Sequence, residues 1–166
     1  GVDAPMGGLF IAGSPYYTQT AYPSYDPSGA ATLVKKVVQE TGKPVTFNLN
    51  STSDPETLAA AQFLQQAFQA AGMHVNITII AQATIINNAL AGSYQATLWR
   101  QFGAVDPDLN YVWFTTQLAS GSLALNMARN VDPAIQTSLL AGRTTDNKAA
   151  RIKDYQAINQ ALAKDI

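Results

Sequence analysis

The chain contains no cysteine, one histidine and few charged residues. The absence of cysteine excludes disulfides, thiolate metal sites and a cysteine nucleophile, but it does not identify a cellular compartment. Charged residues make up 13% of the chain, which is low against the roughly 25% that is typical of soluble domains. The interval from Thr57 to Trp99 contains no Asp, Glu, Lys or Arg, so its solubility depends on Gln, Asn, Ser and Thr.

The sequence has too few charged residues of either sign to indicate a strongly charged binding partner. The formal net charge of -1 lacks the broad electrostatic attraction that nucleic-acid-binding proteins use. Lys35 and Lys36 form the one basic pair that stands out. No uncharged apolar run reaches the ~18 residues that a membrane span requires. We therefore expect no nucleic-acid partner and no membrane-spanning helix in this sequence.

Common catalytic motifs are also missing. The sequence contains no GxGxxG, no Gly-rich loop ending in Lys-Ser/Thr, no GxSxG and no HExxH. His74 has no neighbouring His or Cys with which to form a metal site. The spacing of Asp106 and Asp108 around Pro107 favours helix capping over paired-carboxylate catalysis. We expect no enzyme activity, no metal site and no cofactor.

Four Asp-Pro steps each predict the beginning of a helix, because Asp accepts hydrogen bonds from a helix start and Pro suits the first helical position. The steps are Asp26-Pro27, Asp54-Pro55, Asp106-Pro107 and Asp132-Pro133. Ser53 and Glu56 also fit a capping box at the second step. The predicted helices cover residues 27–40, 55–71, 83–91, 108–118, 133–141 and 147–164, each with approximate ends. Leu33, Val34, Val37 and Val38 form the predicted buried side of the first helix.

Three strands are predicted at residues 44–50, 74–80 and 94 to about 101. Val, Phe, Leu and Ile alternate with Thr and Asn in the first two. A helix lies between each pair of strands, which implies a parallel βαβαβ core with flanking helices and an α/β fold. The length of 166 residues fits a single domain. Residues 1–25, rich in Gly, Pro and Tyr, predict an extended leading segment.

The end of the third predicted strand carries Trp99, Arg100, Gln101 and Phe102 in succession. Ligands of open α/β sheets bind at the carboxyl ends of the strands. Alternation sends Trp99 and Gln101 to one face of the strand and the other two side chains to the opposite face. Taken alone, the segment favours strand-end packing with a solvated arginine. The alternative is that it forms one wall of a ligand cleft.

Several segments, in order, carry a family resemblance across the chain. They are "YDPSGAATLVKKVVQETG", "TFNLNSTSDPETLAAAQFLQQAFQAAGMHVNITII", "LAGSYQATLW", "DPDLNYVWF" and "NMARNVDPAIQTSLLAGRTTDNKAARIKDYQAINQALAKD". This order resembles the second, C-terminal lobe of the bacterial extracellular solute-binding proteins of family 5. Members of that family are the oligopeptide, dipeptide and nickel receptors of ABC transporters.

The resemblance implies a periplasmic-binding-protein-like (type II) lobe. It implies that a first lobe precedes Gly1 and that return strands follow Ile166, so we expect residues 1–166 to be a single excised domain. It also implies a substrate-binding component that captures a peptide or related small solute between two lobes. The closed protein would then meet an ABC transporter permease. Such a protein would be extracytoplasmic, either periplasmic or a cell-surface lipoprotein.

The resemblance also implies a set of solute contacts, namely Trp99, Arg100, Gln101, Phe102 and Ala104. Peptide-binding members often place an aspartate, which pairs with the peptide ammonium, at the position of Ala104. Arg100 stands where a small residue is common, and a guanidinium can bind a carboxylate or phosphate. We therefore hypothesise a solute that is anionic or lacks a free ammonium near this lobe. Asn126 matches a recurrent family asparagine, for which we expect a role in loop structure.

Two other classes of function remain open at this point. The chain could be a stand-alone α/β protein-interaction or regulatory module, for which completeness at 166 residues would be the sign. An enzyme domain is the third interpretation, and turnover by the isolated chain would support it.

Overall fold

The Asp-Pro steps begin helices as the sequence predicts. In this computed structural model, which describes residues 7–100, 105–117 and 125–165, each of the four aspartates accepts a hydrogen bond from a backbone N–H of the first turn. The bonds run from Gly29 to Asp26 (2.9 Å), from Thr57 to Asp54 (3.0 Å), from Asp108 to Asp106 (2.8 Å), and from Ala134 and Ile135 to Asp132 (2.6 and 3.1 Å). The third step opens a 3₁₀ turn and the others open α-helices.

The described elements follow the predicted order closely. They are α1 (Pro27–Thr41), β1 (Thr46–Ser51), α2 (Pro55–Ala70), β2 (His74–Ile79), α3 (Gln82–Ala91), β3 (Ala96–Thr97), a 3₁₀ turn (Pro107–Asn110), α4 (Tyr111–Phe114), α5 (Pro133–Thr144) and α6 (Lys148–Lys164). Gly42 ends α1 in the left-handed conformation, which glycine adopts without strain. The chain divides into an α/β unit, residues 25–101, and a helical unit, residues 1–24 and 102–166.

The α/β unit contains a parallel three-stranded sheet in the order β2-β1-β3. The predicted βαβαβ core is therefore confirmed. One sheet face is apolar: Leu49 and Val75 are buried with Ala61 of α2, while Leu64 and Phe68 pack alongside. The other face carries exposed Asn48, Asn76 and Thr78. Parallel sheets are usually apolar on both faces, so this polar face is a departure from the common pattern.

The third strand is shorter than predicted. Pairing of β1 with β3 comprises Leu49 with Ala96 and Asn50 with Thr97. Before this pairing, the backbone N–H of Asn48 donates to the Gln95 side-chain oxygen at 2.9 Å. A side-chain carbonyl thus accepts the hydrogen bond that a longer third strand would accept with its backbone. This substitution accounts for the late start of β3, at Ala96 instead of Tyr94.

The expectation for the buried side of α1 is largely wrong. Val34 is buried, whereas Leu33, Val37 and Val38 are exposed. Val34 also lies next to Gly72, which follows α2. Among the described residues α1 packs along α2, and this contact buries only a narrow stripe of α1, less than its whole apolar face.

The helical unit is built on α5 and α6. Its core contains Ile135 and Leu139 of α5 with Tyr155 and Ile158 of α6. Residues 7–24 contain no helix or strand, and Leu9, Phe10 and Tyr16 pack against this core. The side chain of buried Asn159 accepts a hydrogen bond from the backbone N–H of Leu9 at 2.7 Å and donates to the backbone of Thr18 at 3.4 Å.

The predicted helix at 108–118 ends early. The 3₁₀ turn and α4 reach Phe114, and Thr115 then adopts an extended conformation. Asn126 has the structural role expected of it: its buried amide donates to the backbone oxygens of Phe114 (3.2 Å) and Asn130 (2.7 Å). Its side-chain oxygen accepts from the backbone N–H of Asn130 at 3.1 Å, which closes the loop.

Candidate functional site

The carboxyl edge of the sheet is where the order of the strands reverses. The chain leaves central β1 for β2 on one side, and β3 then pairs with β1 on the other side. Open α/β sheets bind ligands in the crevice that forms at such a point. Here β1 is followed by residues 52–54 and β3 by residues 98–100, so these short segments form the candidate edge.

Two of the five predicted contacts lie within the described residues. They are Trp99 and Arg100, whereas Gln101, Phe102 and Ala104 fall outside the described ranges. Leu98 packs toward the apolar core of the α/β unit. Trp99, the next residue, keeps 36% of its surface exposed. The end of β3 therefore presents one aromatic ring in part to solvent and places one arginine beside it.

Arg100 is held at the beginning of α2. Its Nη2 atom donates to Glu56 Oε2 at 2.8 Å and lies 3.4 Å from Asp54 Oδ1 and 3.5 Å from Thr57 Oγ1. The side chains of Arg100 and Glu56 are 68% and 84% exposed, so water and salt reach the pair. The hydrogen bonds of Arg100 to described residues all use Nη2, and none of them involves Nε or Nη1.

Asp54 is the most strongly hydrogen-bonded carboxylate of this edge. Its oxygens accept from the Thr52 hydroxyl, from the Thr57 backbone N–H at 3.0 Å and from the Thr57 hydroxyl at 2.8 Å. The bond from Thr52, followed by those from Thr57, lowers the pKa of Asp54 to about 2, and Arg100 contributes least. Hydrogen bonds to the charged form have this effect on a carboxyl group. The edge thus carries two carboxylates and one guanidinium.

The pairing of Arg100 with the start of α2 was missed by the sequence analysis. The capping-box prediction assigned Glu56 to the helix start, but Asp54 is the N-cap residue and Glu56 contacts Arg100 instead. A signal was available. Between Lys43 and Asp106 the sequence contains only three charged residues, which are Asp54, Glu56 and Arg100. In a segment so poor in charge, the single cation and the two anions are expected to meet.

A groove of about 440 Å³ lies on the polar side of the same sheet. It is lined by Asn48, Asn50, Thr78, Ile80, Asn88, Ser93, Tyr94 and Gln95. The lining contains amides and hydroxyls but no carboxylate, ammonium or guanidinium. This groove can therefore offer hydrogen bonds but no charge.

A second arginine–carboxylate cluster lies in the helical unit. Arg151 binds both carboxylate oxygens of Asp106, at 2.7 and 3.1 Å, and donates to the backbone oxygen of Gly142 at 3.0 Å. Arg143 lies 3.6 Å from Asp108 and stacks over the Tyr111 ring at 4.2 Å. Asp106 is thus both a helix cap, as predicted, and an ion-pair partner, which the sequence did not indicate.

Protonation in this cluster follows from its contacts. Hydrogen bonds from Arg151 lower the pKa of Asp106 and raise that of Arg151 itself. Burial, assisted by the negative charge of Asp108, raises the pKa of Tyr155 to about 12. The cluster is a structural network that fixes Asp106-Pro107 to α5 and α6, and among its described residues no nucleophile lies beside a general base.

Neither a metal cluster nor a membrane helix is found in the described parts of the chain. No three His, Asp or Glu side chains among residues 7–100, 105–117 and 125–165 lie close enough together to hold a metal ion. Over the same ranges, every helix is too short or too polar to cross a bilayer.

Comparison with known proteins identifies relatives of this chain. Residues 1–122 match the family described as "Bacterial extracellular solute-binding proteins, family 5 Middle". The di/tripeptide-binding protein 2 of Pseudomonas aeruginosa is 25% identical over 135 residues, which are 80% of this chain and 25% of that protein. The chain thus spans about a quarter of the length of this curated relative.

Solved structures share the fold. The oligopeptide-binding protein AppA of Bacillus subtilis, in complex with a nonapeptide, matches 96% of this chain and 34% of its own with a TM-score of 0.78 at 15% identity. The PBP AgaA of A. tumefaciens R10, in complex with agropinic acid, matches 94% of this chain and 32% of its own with a TM-score of 0.76 at 23% identity.

These likenesses confirm the α/β fold of the type II periplasmic-binding-protein class. The family match covers well over half of the sequence, and the family consists of binding proteins. The chain belongs to the bacterial extracellular solute-binding proteins of family 5.

Proposed function

We propose that this chain is part of the second lobe of the substrate-binding component of an ABC transporter. Family membership is the observation that carries this proposal, and it favours a receptor lobe over a stand-alone interaction module. The chain spans only a quarter to a third of the proteins named above, so solute capture belongs to the longer protein. Two lobes would close on the solute by a hinge motion and present it to a permease.

The proposed solute contacts in this lobe are Trp99, Arg100, Gln101, Phe102 and Ala104. Support comes from the position of Trp99 and Arg100 at the carboxyl end of β3, beside the point of strand-order reversal. A half-exposed indole supplies a large apolar contact with little conformational entropy to lose. The Nε and Nη1 donors of Arg100 make no hydrogen bond to a described residue, so in this proposal they bind the solute.

The proposed solute is a peptide or related small molecule that is anionic or lacks a free ammonium on this side. Relatives include a di/tripeptide-binding protein and structures holding a nonapeptide and agropinic acid. In this chain an uncharged Ala104 replaces the aspartate that the family resemblance leads one to expect, and Arg100 adds a guanidinium. A carboxylate of the solute would share Arg100 with Glu56.

The same proposal includes the cellular location of the longer protein and its binding partners. The longer protein would be extracytoplasmic, either periplasmic or anchored as a lipoprotein, and its partners would be the first lobe, the solute and the permease. We assign it no catalytic role, no cofactor and no nucleic-acid partner.

The first test is mass spectrometry of small molecules that copurify with the full-length protein containing this chain. Calorimetry then compares trialanine with N-acetyl-trialanine, which keeps the carboxylate but has no ammonium. We expect N-acetyl-trialanine to bind at least as tightly as trialanine, and Arg100→Ala to weaken its binding. Equal affinity in the Arg100→Ala variant would exclude Arg100 from the site.

Residues 1–166 alone are expected to bind weakly or not at all, and full-strength binding by them would contradict the two-lobe mechanism.

A further inference from the structure

The carboxyl end of β3 receives little support from the sheet itself. Pairing with β1 stops at Thr97, and the N–H of Leu98 donates to the Asn50 oxygen at 3.0 Å. A strand with two paired residues fixes its own direction poorly, because each ladder bond adds only a modest net stabilisation. Residues that follow such a strand need another attachment if they are to hold one orientation.

Two side chains provide attachments on either side of this short strand. Gln95 precedes β3 and accepts from the backbone of Asn48, as described above. Arg100 follows it and binds Glu56 at the start of α2. Trp99 lies between the Leu98–Asn50 bond and the Arg100–Glu56 pair. The backbone that carries Trp99 is therefore attached by a backbone bond on one side and by an ion pair on the other.

The position of Glu56 makes it a suitable support. It lies in the first turn of α2, where a negative charge is favoured by the helix dipole. The helix start itself is fixed independently by the cap of Asp54 on Thr57. Glu56 therefore offers Arg100 a carboxylate on a rigid element that does not belong to β3.

We infer that Glu56 is a positioning residue for solute binding: it holds Arg100, and through Arg100 the segment carrying Trp99, in the orientation that faces the solute. This inference rests on the proposed solute-binding function. It differs from a direct role, because Glu56 acts on the solute only through Arg100. A simple competition between Glu56 and an anionic solute for Arg100 predicts the opposite sign of effect.

The solute-independent test measures acrylamide quenching of Trp99 fluorescence in the full-length protein. Other tryptophans, Trp113 among them, are changed to Phe so that Trp99 alone reports. Arg100→Ala is expected to increase quenching, Glu56→Gln to increase it to a smaller extent because Asp54 stays 3.4 Å from Nη2, and the double variant no further than Arg100→Ala. Glu56→Asp keeps the charge at the helix start but shortens the side chain, so it should behave like Glu56→Gln. Glu40→Gln, which breaks the exposed Lys36–Glu40 pair on α1, is the matched control and should change nothing.

The second test measures N-acetyl-trialanine affinity in the same proteins. Positioning predicts that Glu56→Gln weakens binding about two- to fivefold, the range expected of an exposed pair, and that 1 M NaCl removes the difference. Tighter binding by Glu56→Gln would overturn the inference in favour of competition. Unchanged quenching in Glu56→Gln would also overturn it. If the wild-type protein does not bind N-acetyl-trialanine, the proposed solute class fails, and the quenching result still decides the role of Glu56.

Discussion

The two units of this chain use the same kind of ion pair in different surroundings. In the α/β unit the Arg100 side chain is 68% exposed and binds Glu56 through one nitrogen. In the helical unit the Arg151 side chain is 22% exposed and binds both oxygens of Asp106. The comparison indicates that exposure and geometry, more than the residue types, determine what such a pair contributes. The first pair is suited to orienting a surface segment and the second to stabilising a fold.

The largest expected loss in the free energy of unfolding comes from the core of the helical unit. This loss is the reference for the smaller effects of the ion pairs. Leu139→Ala removes a side chain that is 1% exposed and should lower the free energy of unfolding by about 2–5 kcal/mol. The adjacent Leu140 is 42% exposed, so Leu140→Ala is the control and should cost less than about 0.5 kcal/mol. Urea denaturation measures both. Similar losses in the two variants would show that α5 packs differently from the structure.

A smaller loss is expected from the half-buried ion pair. Arg151→Ala removes two charged hydrogen bonds to Asp106 and the bond to Gly142, and it should lower the free energy of unfolding by about 1.5–3 kcal/mol. Arg151→Lys keeps the charge but cannot bind both oxygens in the same way, so it should recover only part of the loss. Full recovery by lysine would mean that charge alone is sufficient here.

The stability of the helical unit should also depend on pH at alkaline values, through Tyr155. The pKa of Tyr155 is raised from 10.0 to about 12, so the folded state keeps its proton in a range where the unfolded chain loses it. The contribution of Tyr155 is therefore complete below pH 10 and is lost as the pH rises toward 12. Tyr155→Phe should flatten the decline of stability in that window, as measured by urea midpoints. An equally steep decline in the variant would assign the alkaline effect to other groups.

The exposed pair should give the smallest effect. Arg100→Ala is expected to lower the free energy of unfolding by less than about 1 kcal/mol, because both partners are solvated. In 1 M NaCl this difference should disappear, whereas the effect of Arg151→Ala should largely persist. Equal salt sensitivity of the two arginine variants would remove the contrast between the units.

Local signals in the sequence were sufficient for the order of the elements. Each Asp-Pro step identified a helix start because capping involves residues only two or three positions apart. The βαβαβ order followed from alternation and helix periodicity for the same reason. These local patterns also indicated an α/β fold, and the family resemblance then added the narrower periplasmic-binding-protein (type II) class, which no local pattern in these residues specifies.

Features that depend on distant residues were not predictable in this way. The late start of β3 goes with a hydrogen bond between Gln95 and Asn48, and these residues are far apart in the sequence. The exposed side of α1 depends on how much of it α2 covers. The partners of Arg100 lie more than forty positions earlier, although the scarcity of charge between Lys43 and Asp106 indicated them.

The brevity of β3 also affects how this sheet meets other molecules. Unpaired backbone groups at a sheet edge are a template on which a neighbouring polypeptide can add a strand, and short edge strands limit this hazard. Within the part of the chain described here, β3 borders the sheet on one side and contributes only Ala96 and Thr97 to that border. A sheet edge built in this way presents side chains to its surroundings while offering little backbone for self-association.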